Sequence, residues 1–328
     1  MRTLSMILLA VAAIGMAANQ PAVAQTKRDK ISFRLDWSLT GYQLPFYWAA
    51  KKGYYKQAGL DVEIKQGAGS QKTINLVGAG HDDIGFADFS LMAASIAKGM
   101  AVKGIFAVIQ DDAWVVFSHR NKLIEKPADL VGKSVVCVID HKPLLDLLMK
   151  LNGIAPDKVE IRVVSPPVRN AVFVQGAADG VLTIGLSARQ YFKGDPDGVL
   201  HFARYGVNLL GQGIIANKTF LQKNPDAIRR FIKATVRAFN EVSESKNTEE
   251  AVKIAIESSG SAQELEDQAR DGWLQTIPRM HSENTRGKPT GWMSDVDWKA
   301  TMKTLRETGR ITGDVPLNQL YTNEFIPK

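Results

Sequence analysis

The residue types that could do chemistry gather where short apolar runs end. Trp37, Thr40, Tyr42 and Gln43 follow one such run, Gly69 and Ser70 follow a second, and Phe86 and Asp88 close a third. Gln110 and Trp114 stand after a fourth, and Asp140 and His141 after a later one. Indole and phenol rings present flat apolar faces with one polar atom each, while the hydroxyls, amides and carboxylates supply a few directed hydrogen bonds. That combination holds a flat or apolar small molecule. For Trp37 the alternative is ordinary packing on the following helix.

The constellations that catalysis requires are missing from the same sequence. His81, His119, His141, His201 and His281 show no metal-ligand spacing, and there is neither an H-E-x-x-H nor a cysteine pair. No serine sits in G-x-S-x-G. A phosphate loop fails because Gln71 precedes Lys72, and a dinucleotide fingerprint fails because Lys72 stands where its third glycine belongs. What remains at Gly67-Ala68-Gly69-Ser70 is a helix start, either a plain serine cap or a set of amides open to an acceptor group. Asp82-Asp83 and Asp111-Asp112 are adjacent, so they face opposite ways on an extended chain and read as solvated turn residues. The chain is built to hold rather than to transform: not an enzyme, and with no cofactor implied.

These residues need elements to position them. Ile31, Phe33 and Leu35 alternate with Ser32, Arg34 and Asp36, the period of a strand. Pro45 suits the first turn of a helix, and Phe46, Ala49, Ala50, Gly53 and Tyr54 then form one apolar stripe that Gly59 ends. Leu60, Val62 and Ile64 make a second strand. Strands over 83–88 and 102–109 flank a helix with Phe89, Met92, Ala93, Ile96 and Ala97 on one face. Strands alternating with helices predict an α/β lobe with a mostly parallel sheet, whose ligands sit beyond the strands' carboxyl ends. Trp37 and the loop 38–44 occupy that place.

A second lobe begins near 117. Strands are expected at 134–139, 159–164 and 180–184, with helices between them and a leucine-rich one at Leu144, Leu147, Leu148 and Leu151. Leu76-Val77-Gly78-Ala79-Gly80-His81-Asp82 is echoed by Val174-Gln175-Gly176-Ala177-Ala178-Asp179, which points to two related lobes. Val199–Val207 reads as a strand returning to the first lobe. Crossings near 115–118 and 203–207 would form a hinge. Beyond it the chain reads as mainly helical, with Asn224-Pro225 opening one helix, Ser261 and Glu264 spaced as a capping box, and Ser294 capping another. The expected division is 1–24 leader, 25–116 first lobe, 117–204 second lobe, and 205–328 return and C-terminal helices.

The start of the chain has an exported character. Arg2, the apolar run Leu4–Ala18 and Ala22-Val23-Ala24 form a signal peptide with cleavage after Ala24, too short and too interrupted for a membrane anchor. The one cysteine, Cys137, lies in an apolar run and suits a buried strand; a disulfide-free exported chain fits a bacterial periplasm. The net charge of +7 is dispersed along the 328 residues, which argues against nucleic acid as a partner.

Asp36-Trp37, Tyr47-x-Ala49, Gly53-Tyr54-Tyr55, Ala58-Gly59-Leu60-Asp61-Val62, Gly69-Ser70 and Ile84-Gly85-Phe86-Ala87-Asp88, in that order, resemble the substrate-binding proteins of ABC importers for nitrate, sulfonates, taurine and thiamine-pyrimidine precursors. The likeness runs from about 31 to about 215. It implies a type II periplasmic binding protein: two α/β lobes closing on a small molecule, acting as a monomer, with an inner-membrane ABC permease as partner. It implies ligand contacts at Trp37 and the loop after it, at Gly69-Ser70, at Phe86 to Asp88, and at second-lobe strand ends such as Asp140, His141 and Gly185. The pyrimidine-precursor branch resembles D-W-x-P-N-x-x-H in the first loop. Here Leu39, Thr40 and Gln43 replace its Pro, Asn and His, so an aromatic or heterocyclic ligand is expected, a pyrimidine-like one being favoured although the pyrimidine's own partners are changed. A sulfonate, taurine or nitrate receptor is the alternative, with Arg169, Lys142 and Lys72 as candidate cations, and a pyrimidine synthase the remote one.

Overall fold

The computed structural model describes residues 28–110, 114–186, 192 and 196–328. The expected leader and the Asp111-Asp112 pair lie outside these residues, as does the side chain of Asp140.

The first sheet is built from β1 (Asp29–Arg34), β2 (Leu60–Lys65), β3 (Ile84–Asp88), β4 (Val102–Ala107) and a strand that arrives much later, β10 (Gln212–Asn217). The second holds β5 (Trp114–Ser118), β6 (Ser134–Cys137), β7 (Glu160–Val163), β8 (Gly180–Ile184) and β9 (Gly198–His201). Their orders, β2-β1-β3-β10-β4 and β7-β6-β8-β5-β9, are the same topology used twice. In each, the first three strands run parallel and the fourth antiparallel to both neighbours, so both sheets are mixed. That fourth strand is always the one supplied by the chain as it comes over from the other lobe. β10 was not visible in the sequence, where 205–328 reads as return and helices. Residues 115–118, expected as a crossing, are the body of β5.

The echo in the sequence has a physical counterpart. Ser32 N and Oγ donate to Asp83 Oδ2 at 2.8 and 3.0 Å while Asp83 N donates back to Ser32 Oγ at 2.8 Å. In the second lobe Ser134 N donates to Asp179 Oδ2 at 2.9 Å, and Asp179 N to Ser134 Oγ at 3.1 Å. Each clasp ties the central parallel strand to the residue just before the strand beside it.

The helix expected from Pro45 is two: α1 (Leu44–Lys51) and α2 (Tyr54–Gln57). Gly53 between them lies at φ +75°, a left-handed conformation that an α-helix cannot run through. α3 (Ser70–Gly78) lies so close to β3 that a Cβ on Gly85 would come within 2.7 Å of Thr73 Cγ2. α4 (Phe89–Ala97) follows β3 directly. In the second lobe, α5 (Lys142–Leu151) buries Leu144, Leu147 and Leu148, and α6 (Pro166–Val174) buries Phe173 rather than the exposed Val174.

The chain then adds α7 (Lys218–Lys223), α8 (Pro225–Val242), α9 (Ser245–Ser259), α10 (Glu266–Thr276), α11 (Asp295–Glu307) and α12 (Leu317–Leu320). Asn224 stands at the N-cap of α8 with Pro225 opening the helix, as expected, but its side chain makes no cap hydrogen bond; its amide donates to Phe220 O at the end of α7. Ser261 makes no capping box, because the turn after it is 3₁₀ and α10 starts only at Glu266. α8 buries Ile228, Phe231, Ile232, Thr235 and Phe239 on one stripe. Its Phe231 and Phe239 meet Phe33 and Phe46 edge to face, with centroids 5.4–5.5 Å apart. Phe46 meets Phe86 at 5.5 Å, and Phe86 stacks under Tyr42 at 5.4 Å. The first-lobe core therefore reaches the loop that carries Trp37 by an unbroken run of rings.

Candidate functional site

A cleft opens between the two sheets. Its main chamber, about 990 Å³, takes its walls from both lobes: Asp36, Trp37, Tyr42, Gly69, Ser70 and Asp88 on one side, Trp114, Ile139, His141 and Ile184 on the other. A smaller chamber of about 310 Å³ shares Trp37, Tyr42, His141, Ile184 and Gln212 with it and adds Thr40, Arg169, Thr183, Leu186, Gln268 and Asp271. Trp37 is 50% exposed, which is unusual for an indole and leaves its face to the cleft; Ile139 opposes it at 64%.

Trp37 is held by what surrounds it. Asp36, only 5% exposed, accepts from Tyr42 Oη at 2.9 Å and from Gln43 Nε2 at 3.3 Å. Gln43 is fully buried, and its oxygen accepts from Thr40 N (2.9 Å) and Thr40 Oγ1 (3.1 Å) while its nitrogen also reaches Ser38 O (3.2 Å). One amide thus closes the whole loop 36–43. From below, Gly69 N donates to Asp36 O at 2.7 Å, and Gly67 packs so tightly that a Cβ there would stand 2.0 Å from Leu35 O. From the side, Gly41 (φ +112°) and Gly272 of α10 press backbone to backbone; a Cβ on Gly272 would be 2.0 Å from Thr40 O.

Ser70 is not the cap of α3. Gly69 is the capping residue, at φ +110°, and Ser70 Oγ accepts from Asp88 N at 3.1 Å. Asp88 caps α4, accepting from Leu91 N at 2.8 Å, and stands opposite Gln212 in the β3–β10 register. Burial lifts the carboxyls of Asp36 and Asp88 to about 6. The hydrogen bonds from Tyr42 and Gln43 pull Asp36 the other way, and the Leu91 amide and the Arg310 charge do so for Asp88. Across the cleft, His141 packs edge-on against Trp114 at 4.4 Å. Burial, then Arg169 and Arg310, push its imidazole down to about 3, so it is neutral, and its Nδ1 has no partner among the described residues.

The expected residues fall into three groups. Trp37, Thr40, Tyr42, Gly69, Ser70, Asp88, Trp114 and His141 all line the two chambers. Gln43 and Phe86 stand one layer behind, Gln43 fixing the loop and Phe86 supporting the Tyr42 ring, and Gly185 follows β8 without lining either chamber. Lys142 and Lys72 line neither chamber; Lys142 pairs with Asp146. Sequence reasoning missed Gln212, because β10 was missed, and also Gln268, Asp271 and Arg310, which come from the C-terminal helices and the turn after α11. No local pattern marks those three, since only tertiary packing brings them to the cleft.

The arrangement offers ring faces, neutral hydrogen-bonding groups and a few charges in a deep cleft. Residues 40–248, more than half of the chain, match the family described as NMT1/THI5 like. A 4-amino-5-hydroxymethyl-2-methylpyrimidine phosphate synthase of Saccharomyces cerevisiae is 27% identical over 227 residues, covering 64% of this chain and 66% of the relative, just under two thirds of its length. A riboflavin-binding protein of Chloroflexus aurantiacus is 24% identical over 324 residues, 93% of this chain and 88% of that protein. Among solved structures, a putative periplasmic sulfonate-binding protein of an ABC transporter from Methylobacillus flagellatus superposes with a TM-score of 0.68 at 14% identity, over 91% of this chain and 93% of that one. The fold is that of the periplasmic binding proteins.

Proposed function

Because this chain belongs to the NMT1/THI5-like family, we propose that it is an extracytoplasmic solute receptor that binds a planar heteroaromatic molecule between its two lobes and delivers it to a membrane permease. The half-exposed Trp37, facing a cleft whose walls come from both sheets, carries the reading. An indole face open to a cleft is a platform on which a flat ring can stack. Two crossings of the chain join the lobes, so closure would bring Trp114, Ile139 and His141 toward the Trp37 face and expel water from it. The leader expected at the start of the chain and the likeness to importer components support export and a permease partner.

The synthase likeness carries a second reading, in which the cleft transforms its ligand. Calorimetric titration with pyrimidines, flavins, aromatic acids, sulfonates and nitrate tests both. Expected is saturable binding of a heteroaromatic compound that is recovered unchanged after prolonged incubation. Trp37→Ala weakens that binding by at least tenfold, about 1.4 kcal/mol. Chemical conversion of the ligand would favour the second reading, and wild-type affinity in Trp37→Ala would end the role given to the indole.

A further inference from the structure

A separate pocket of about 690 Å³ shares no lining residue with either chamber of the cleft. It opens beside the place where the two stretches that join the sheets run together. There Gly211 N donates to Ile109 O at 3.0 Å, and Ile109 N to Gln212 O at 2.9 Å. Gln110 of the first stretch and residues within 203–210 of the second form one side of the pocket, and the segment 278–286 and α11 form the other.

Three polar groups on this wall lack the partner that their chemistry calls for. Gln110 is only 3% exposed, and its N and Nε2 donate to Arg279 O at 2.8 Å and Met280 O at 2.7 Å. Its Oε1 nevertheless accepts from nothing among the described residues, and a buried acceptor without a donor calls for one from outside the chain. Arg204 makes no ion pair and no side-chain hydrogen bond among the described residues. Asp297 accepts from Ser282 Oγ and Asn284 Nδ2, each at 2.6 Å, but both donors are neutral, and among the described residues it pairs with no cation. Two opposite charges therefore line one pocket without reaching each other. His281 adds an acceptor: its Nδ1 donates to Thr285 O at 3.1 Å, which leaves Nε2 of the neutral ring as a lone pair. Leu209, Pro278 and Val296, the last 58% exposed, supply apolar surface between these groups.

An anion alone would answer Arg204 and leave Asp297 and Gln110 Oε1 as they are; a cation alone would do the reverse. A molecule carrying a carboxylate and an ammonium a few bonds apart answers all of them, since a carboxylate suits the guanidinium fork and an ammonium has three hydrogens to donate. We infer that this pocket is a second binding site, for a small zwitterion of the amino-acid type with an apolar side chain. Its carboxylate lies on Arg204, its ammonium faces Asp297 and Gln110 Oε1, and its side chain lies along Val296. The site goes beyond the receptor reading and stands whatever the cleft binds.

Calorimetric titration of the chain with L-leucine tests it, beside the two halves of that molecule: 4-methylpentanoate, which keeps only the carboxylate, and 3-methylbutylamine, which keeps only the ammonium. The expected result is that leucine saturates one site at millimolar concentration or below, while each half binds at least tenfold more weakly. Arg204→Gln and Asp297→Asn each lower leucine affinity tenfold or more. Arg204→Gln removes no contact of the fold, so its melting temperature should match that of the wild type, and it keeps the test open if Asp297→Asn folds poorly. No saturation by leucine, or either half binding as tightly as the whole, overturns the inference. So does leucine affinity unchanged in Arg204→Gln, which would put the leucine elsewhere on the chain.

Discussion

The loop that presents Trp37 depends on one side chain. Gln43 makes four hydrogen bonds, at 2.9 and 3.1 Å to Thr40 and at 3.3 and 3.2 Å to Asp36 Oδ1 and Ser38 O, from a fully buried position. Leucine is close to it in size, so Gln43→Leu removes the bonds and leaves little cavity. Each bond is worth about 0.5–1.5 kcal/mol net, and the Thr40 amide and Asp36 carboxylate would remain without these partners, so the loss is about 2–4 kcal/mol. Urea unfolding followed by tryptophan fluorescence measures it, with calorimetry for the ligand. The expected outcome is a lower unfolding midpoint together with an affinity reduced by tenfold or more, because Trp37 and Tyr42 lose their common anchor. Gln43→Glu restores the acceptor for Thr40 but sets a second carboxylate against Asp36, so it recovers stability only at acidic pH. A midpoint shift worth less than 1 kcal/mol with an unchanged Kd would show that the loop is held by something else.

Two further outcomes follow from the same geometry. Asp36 and Asp88 have folded-state values near 6 against an ordinary 3.8, so the stability they contribute is present below about pH 4 and lost as pH rises through 6. His141, held near 3 against 6.5, acts in the opposite sense, contributing above 6.5 and losing that contribution as pH falls. In urea melts at pH 4 to 8, His141→Phe should therefore show a steeper decline in stability with pH than the wild type, and Asp36→Asn a shallower one; identical slopes would refute the assignment. Gly272→Ala places a methyl group 2.0 Å from Thr40 O, so α10 must move off the loop at about 1–3 kcal/mol. Its melting temperature should drop and its ligand affinity fall although Gly272 touches neither chamber, and an unchanged Kd in a destabilised protein would separate the loop from the cleft.

Much of this was legible in the residue order. Alternation at Ile31, Phe33 and Leu35, the position of Trp37 after it, and the echo between 76–82 and 174–179 were enough to expect two related sheets with a cleft at their strand ends. What stayed hidden was non-local. β10 has six buried residues, including Gln212 and Asn217, and no alternating pattern, because both of its faces are covered, Ile214 and Ala216 packing in one core cluster and Ile215 in another. Gln43 reads as a candidate ligand residue from its place in the loop, and only the fold shows its amide turned inward to Asp36, Ser38 and Thr40. Gly53 looks like one more small residue on a helical stripe until its positive φ divides the helix. Gln268, Asp271 and Arg310 reach the cleft from more than two hundred residues beyond Trp37.

The position of β10 between β3 and β4 also sets an order on assembly. All five strands of the second sheet are contained in residues 114–201, so that lobe has its full complement while the first sheet still has a gap at its fourth position. During synthesis the inserted lobe is complete first, and the lobe that begins the chain must wait for residue 217. Until then β3 and β4 have bare edges where β10 will pair, and those two edges are where an incomplete chain is open to pairing with another strand.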